Sequence, residues 1–315
     1  MNAHTRVEFD EYGGPEVLHL RERETSSPGE GQVRVRVSVA GIQQVDAKLR
    51  RGQFAAGKPA TVSMTLGNEF SGVIDEVGAG VSTLVPGQAV LGFGSAIAYS
   101  ESVIVPADQV ITKPDGVSFE VAGALSGAGQ TAANAVETLN VGPGDTLLIH
   151  AAAGGVGTLA IQLARMRGVS VIGTASEANH DYLRRLGAIP VVYGPGLIER
   201  VRDAATTGVD AALDLIGGPA TEVSNELVAD RQRIGTTVND EAAARFGVHR
   251  LRGVRSTRLL QELVTLVADG KVILPITGVY EPVQAPEAHS VIDAGHVHGK
   301  IILNFSRSTP AADFR

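Results

Sequence analysis

The chain has no cysteine and no tryptophan, and only three methionines. The missing cysteines exclude disulfides, thiolate zinc sites and cysteine nucleophiles, and they fit a reducing, cytoplasmic setting. Aromatic residues are 4% of the sequence, so no stacking platform for a large ring stands out. No uncharged apolar run approaches the ~18 residues of a membrane span. The opening MNAHTRVEFDEYGG has no apolar signal core, and secretion is not expected. No block of basic residues occurs, and the net charge of -7 argues against nucleic acid as the main partner. Internal repeats and low-complexity linkers are absent too.

What is present points to two domains. A length of 315 residues exceeds an average single domain, and 43% hydrophobic content is ample for real cores. The first third reads as short strands. Val33, Val35, Val37 and Val39 alternate with Arg34, Arg36 and Ser38, as in a half-buried strand. Gly72–Val77, Ala89–Phe93 and Ser102–Val105 follow, separated by Gly-rich turns, which predicts a barrel-like β domain. Residues 120–139 read as a helix broken near Gly127 and Gly129. Strands at 146–149, 169–174, 189–192, 211–216 and 233–238 then alternate with helices, the pattern of a parallel doubly wound sheet. A helix at 256–268, a strand at 272–280, a helix at 285–294 and a strand at 301–305 close the chain. This tail is expected to rejoin the first domain, with fraying after Ser306.

The stretch TLLIHAAAGGVG, Thr146 to Gly157, is a strand feeding a glycine-rich corner at a helix start. Small residues let a backbone approach a pyrophosphate, and the unpaired amides and dipole of a helix N-terminus favour its charge. Read as G-x-G-x-x-G, the positions are Ala152, Gly154 and Gly157, with alanine in the first place. An acid at the end of the second strand would select the ribose hydroxyl of NAD. Here that place is Thr174-Ala175-Ser176, which leaves room for a 2′-phosphate and favours NADPH. Glu177 next door, and a turn without lysine or arginine, pull the other way.

Several ordered segments resemble the zinc-free branch of the medium-chain dehydrogenase/reductases, the NADPH quinone oxidoreductases close to zeta-crystallin and the enoyl reductases. They are GIQQVDAKLRRG (41–52), LGNEFSGVIDEVGAGVSTLVPGQAV (66–90), SGAGQTAANAV (126–136), GPGDTLLIHAAAGGVG (142–157), DLIGG (214–218) and HVHGKIIL (296–303). The resemblance implies an α/β protein. A GroES-like β-barrel substrate domain, residues 1–121 and 268–315, receives an inserted Rossmann domain, residues 122–267. The active site is expected in the cleft between them. For the cofactor, it implies Thr131 near the nicotinamide ribose and Gly154, Gly155, Val156 and Gly157 at the pyrophosphate. Ser176, Asn179 and Tyr193 fall at the 2′-phosphate end, and Ile216 and Gly217 beside the adenosine. Lys300 falls near the 2′-phosphate, or is a solvated strand-end charge.

The candidate catalytic residues are Gln43, Asp46 and Lys48. Gln43-Gln44 stands where the family usually has Asn-Pro, keeping an amide but lengthening it by one methylene. Lys48 is either a proton donor or a surface helix lysine; Asp46 either serves chemistry or caps its turn. Zinc-bearing relatives carry Gly-His-Glu where this chain has Gly67-Asn68-Glu69, and asparagine is a poor zinc ligand. His296 and His298 alone do not make a metal site, so none is expected.

The expected reaction is hydride transfer from NADPH to a quinone or an α,β-unsaturated carbonyl without zinc. The partner is a small molecule. HAAAGGVG also occurs in enoyl reductase modules of polyketide synthases, so a standalone enoyl reductase or tailoring enzyme of a biosynthetic pathway is the alternative. A non-catalytic NADPH-binding protein is the reading from another class. A homodimer pairing sheet edges near 233–238 and the segment after it is expected. The basic run 242–258 either borders the substrate or is a solvated face.

Overall fold

The computed structural model describes residues 3–61, 63–295 and 297–307. The chain divides into two compact units. One holds the residues up to Gly127, Arg255–Lys271 and those from Pro275 onward; the other holds Ala128–Val254 and Val272–Leu274. The helix Thr257–Ala268 thus groups with the first unit.

The first unit is built on the strand Gln32–Ile42. Its alternation buries Val33, Val35 and Val37, each such side chain contributing roughly 1.5–3 kcal/mol. In space the strands run Ile276–Tyr280, Lys300–Asn304, Gln32–Ile42, Glu69–Val77, Ala89–Phe93, Val110–Thr112, and Ser102–Pro106 also pairs with Gln32–Ile42. The register between Gln32–Ile42 and Glu69–Val77 shifts twice, at Arg34/Val35 and Val37/Val39. Such bulges increase the local twist and curl a sheet. A smaller sheet joins His19–Glu24, Ala3–Phe9 and Met64–Thr65. Phe9, Phe70, Ile74, Tyr99, Ile301 and Leu303 lie in the core of this unit.

The second unit is a six-stranded parallel sheet. Its spatial order is Ile189–Val192, Ser170–Ala175, Thr146–His150, Ala211–Asp214, Ile234–Thr236, His249–Arg250. Counted along the chain this is 3-2-1-4-5-6, the doubly wound order that places a dinucleotide where the order reverses, at the carboxyl ends of the strands. Leu148, Ile172, Val201, Ala212 and Ile234 anchor its core.

Several sequence expectations change. The helix Phe119–Thr138 is unbroken. Its glycines serve close packing: a Cβ at Gly123 would lie 2.8 Å from the Val39 carbonyl, and one at Gly127 would lie 2.1 Å from Gln43 Nε2. The sheet edge narrows to the segment after 233–238, where His249–Arg250 pairs beyond Ile234–Thr236. The late strand spans only Ile276–Tyr280. The expected fraying beyond Arg307, and His296, lie outside the described residues.

Candidate functional site

In the second unit, the strand Thr146–His150 is fully buried and ends in a tight turn. Ala151 takes φ 55, a left-handed conformation unusual for a residue with a side chain. Thr174 holds the turn: its Oγ1 accepts from the Ala151 amide at 3.1 Å, and its carbonyl from the Ala152 amide at 2.9 Å. The helix Gly155–Met166 follows, and no side chain caps its N-terminus at Gly154. The first amides of such a helix are left for a ligand.

The glycines divide the work. A Cβ at Gly157 would lie 2.4 Å from the Ala152 carbonyl oxygen, so this position is dictated by helix-on-turn packing. A Cβ at Gly154 would meet only the Ala151 carbonyl, at 3.6 Å. No described residue demands glycine there. A cradle with free amides and room above Gly154 fits a pyrophosphate.

Ser176 closes the second strand, and Asn179 Nδ2 donates to its Oγ at 3.2 Å. Tyr193 follows the third strand and is 56% exposed. Arg200 shapes that turn, donating to the carbonyls of Val192, Tyr193, Gly194 and Pro195. No carboxylate caps the second strand, and Ser176, Asn179 and Tyr193 all lie at the carboxyl ends of adjacent strands.

Asp214 orders the turn after the fourth strand. It is fully buried. Its Oδ1 accepts from the amides of Ile216 and Gly217, and its Oδ2 from the hydroxyls of Thr221 and Thr236. Gly217 takes φ 82, and Ile216 is left 65% exposed. His150, at the end of the central strand, packs on Ser224 Oγ at 3.1 Å, and burial pushes its pKa down to about 4. Thr131 is half-buried, and a Cβ at Gly253 would lie 3.1 Å from its Oγ1.

The first unit holds a polar cluster. Gln43 precedes the helix Gln44–Arg50, and Asp46 reaches back to accept from the Gln43 amide at 2.9 Å. Asp46 is fully buried. Its Oδ2 also accepts from Tyr99 Oη at 3.3 Å, and its Oδ1 from the Gly67 amide at 3.2 Å and Asn68 Nδ2 at 3.0 Å. Burial pushes the Asp46 pKa up to about 6, against the Gln43 amide and Lys300 that favour its ionised form. With four donors on its two oxygens, Asp46 anchors the turn.

Behind Asp46 the hydrogen bonds run in one direction. Arg50 is also fully buried, and its Nη1 donates to His289 Nδ1 at 2.9 Å. His289 Nε2 therefore carries the proton and donates to Tyr99 Oη at 3.1 Å. Burial, with Arg50 beside it, pushes the His289 pKa down to about 3. Burial with Asp46 nearby raises that of Tyr99. Asp293 closes the chain on Arg50 at 2.5 Å.

Lys300 corrects an expectation. It is 5% exposed, its Nζ 2.8 Å from Glu69 Oε1 and 2.8 Å from the Ile42 carbonyl. Its charge is spent inside the first unit. Glu69, itself fully buried, also accepts from the Gly127 amide at 2.6 Å. Gln43 is different: its Nε2 is buried and has no hydrogen-bond partner among the described residues. Lys48 stands half-buried on the same helix. Sequence reasoning missed Arg50, Tyr99, Glu69, His289 and Asp214. A buried arginine or glutamate has no local signature, since its partners lie far along the chain.

Comparison with known proteins agrees with this architecture. The family described as alcohol dehydrogenase GroES-like domain matches residues 29–115, and that described as zinc-binding dehydrogenase matches residues 186–303. The quinone oxidoreductase of Pseudomonas aeruginosa is 30% identical, over 95% of this chain and 98% of its own. The structure of the Coxiella burnetii quinone oxidoreductase is 32% identical, with a TM-score of 0.86 over 96% of this chain and 99% of that one. The Escherichia coli quinone oxidoreductase complexed with NADPH is 26% identical, with a TM-score of 0.84 over 95% of this chain and 99% of that one. By fold, motif order and these relatives, the chain belongs to the quinone oxidoreductase family of medium-chain dehydrogenase/reductases.

Proposed function

We propose that this chain is an NADPH-dependent oxidoreductase that reduces electron-poor conjugated carbonyls, quinones or enones, without zinc. Its kinship with quinone oxidoreductases, one of them complexed with NADPH, supports the cofactor and the reaction class. Gly154–Gly157 would hold the pyrophosphate. Ser176, Asn179 and Tyr193 would meet the 2′-phosphate, Ile216 and Gly217 the adenosine side, and Thr131 the nicotinamide ribose. Bound NADPH supplies the hydride.

The observation that carries the acceptor class is the buried Gln43 side-chain amide, unpartnered among the described residues. Leaving such a donor unsatisfied costs about 1–3 kcal/mol, which a ligand oxygen recovers. Gln43 Nε2 donates to the acceptor carbonyl oxygen, where negative charge collects as hydride adds to the conjugated system. Asp46 fixes the Gln43 backbone for this task. Lys48 supplies the balancing proton. Conjugation spreads the charge, so an amide suffices in place of a metal. Asn68, where zinc-bearing relatives carry histidine, has its amide committed to Asp46 and to the Ala96 backbone. Among the described residues, no three His, Cys, Asp or Glu side chains converge to hold a metal ion.

Steady-state NADPH oxidation with simple quinones and with enones tests the reading. Turnover of either acceptor supports it, and their ratio separates quinone reductase from enoyl reductase. Tight NADPH binding without turnover on a broad acceptor panel would leave a binding protein instead. A homodimer is part of the same reading, with a second copy pairing at the His249–Arg250 edge.

A further inference from the structure

The basic run 242–258 contains one arginine unlike the others. Arg245 pairs with Glu222, Arg250 and Arg252 with Asp240, and Arg258 with Glu262. Arg255 pairs with no carboxylate among the described residues. Its Nη1 instead donates to two main-chain carbonyls of the first unit, Asn68 at 2.9 Å and Gly94 at 3.0 Å. These bonds fix where the guanidinium sits and leave its Nε and Nη2 donors for something else. The side chain is only half-buried, so those donors remain within reach of a ligand.

Its neighbours place it beside the acceptor cluster. The Asn68 whose carbonyl holds Arg255 also donates through Nδ2 to Asp46, which in turn accepts from the backbone N–H of Gln43. The other buried charges nearby are already answered: Asp46 accepts from Gln43, Gly67, Asn68 and Tyr99, and Glu69 faces Lys300. Arg255 is thus a cation held in place with its charge unanswered. A planar guanidinium with spare parallel donors matches a carboxylate.

We propose that Arg255 forms an anion subsite beside Gln43, so that the preferred acceptors are conjugated carbonyls bearing a carboxylate. The proposal rests on the reductase reading for the word acceptor, but not for binding.

Two measurements keep the readings apart. Calorimetric titration of the full chain with levulinate and with methyl levulinate reads binding without turnover. Steady-state kinetics with NADPH compares acetylacrylate with its methyl ester. The expected result is a preference for each acid of ~10- to 100-fold, the worth of a charge-assisted hydrogen-bonded pair. Arg255→Gln should erase that preference while Arg255→Lys retains part of it, both with unchanged NADPH affinity; loss of the bonds to the Asn68 and Gly94 carbonyls lowers the melting temperature without abolishing folding. The preference should also shrink with added salt. Equal binding of acid and ester, or a folded Arg255→Gln protein that keeps the preference, would overturn the subsite. Arg255-dependent acid binding without turnover of either enone would keep the subsite and sink the reductase reading. Turnover of both enones with no dependence on Arg255 would do the reverse.

Discussion

Two glycines, three residues apart, are predicted to fail in opposite ways. Gly154 lies at φ -68 and ψ 171, a conformation alanine adopts freely, and a methyl there would meet only the Ala151 carbonyl, at 3.6 Å. Gly154→Ala should therefore fold normally, and gain about 0.4–1 kcal/mol from the lower entropy of its unfolded chain. The new methyl would occupy space reserved for the phosphates. Losing one or two charge-assisted amide contacts would weaken NADPH binding by ~10- to 100-fold. Gly157→Ala would instead drive its methyl to 2.4 Å from the Ala152 carbonyl oxygen. Backbone cannot swing aside like a side chain, so the helix must shift, at about 1–3 kcal/mol. Thermal unfolding reads the first quantity and fluorescence titration with NADPH the second. If Gly154→Ala bound NADPH as well as the parent chain, the turn would not be a pyrophosphate cradle. A Gly157→Ala protein of parental stability would refute the packing argument.

Other consequences follow from the same geometry. Ser176→Asp should weaken NADPH by about tenfold or more and favour NADH, since a carboxylate would oppose the 2′-phosphate and accept from a ribose hydroxyl; the ratio of the two dissociation constants checks it. Lys300→Met should leave NADPH affinity unchanged but cost ~3–5 kcal/mol in denaturant unfolding, because fully buried Glu69 loses its ion pair. Acid should destabilise the fold through His289 and His150, whose pKa values are depressed to about 3 and about 4. Their contribution is complete above pH ~6.5 and is lost as pH falls through those values; the His289 share approaches the order of 5 kcal/mol near pH 3. Asp46, raised to about 6, works the other way, recovering stability as pH falls from about 6 toward 4. Unfolding curves across that range, with His289→Gln showing the shallower acid loss, test the balance.

The nucleotide-binding sheet was readable because each of its first five strands is a short apolar run followed by a turn and an amphipathic helix. The sixth, His249–Arg250, has two residues and no alternation to detect. Gly127 misled in a different way. Glycine usually weakens a helix, but here the missing Cβ makes room for the Gln43 side chain. The strand HLRERE at His19–Glu24 carries almost no apolar signal because only one face of it is half-covered. At the site, the glycine-rich turn and Ser176 were visible as local motifs, their part in binding NADPH resting on the variants proposed above. The roles of Asp46 and Lys300 were not, because each is set by groups distant in sequence: Tyr99 and Gly67 for one, Glu69 and Ile42 for the other.

Isotope transfer is the most direct measurement of the central claim. NADPH carrying deuterium at the transferable position of its nicotinamide, incubated with the full chain and an enone, should give a saturated ketone with one deuterium at the β-carbon. Mass spectrometry and proton resonance would locate it, and the hydrogen at the α-carbon should come from solvent. A ketone labelled only from solvent, or NADPH consumed with no reduced acceptor, would contradict hydride transfer to a conjugated carbonyl.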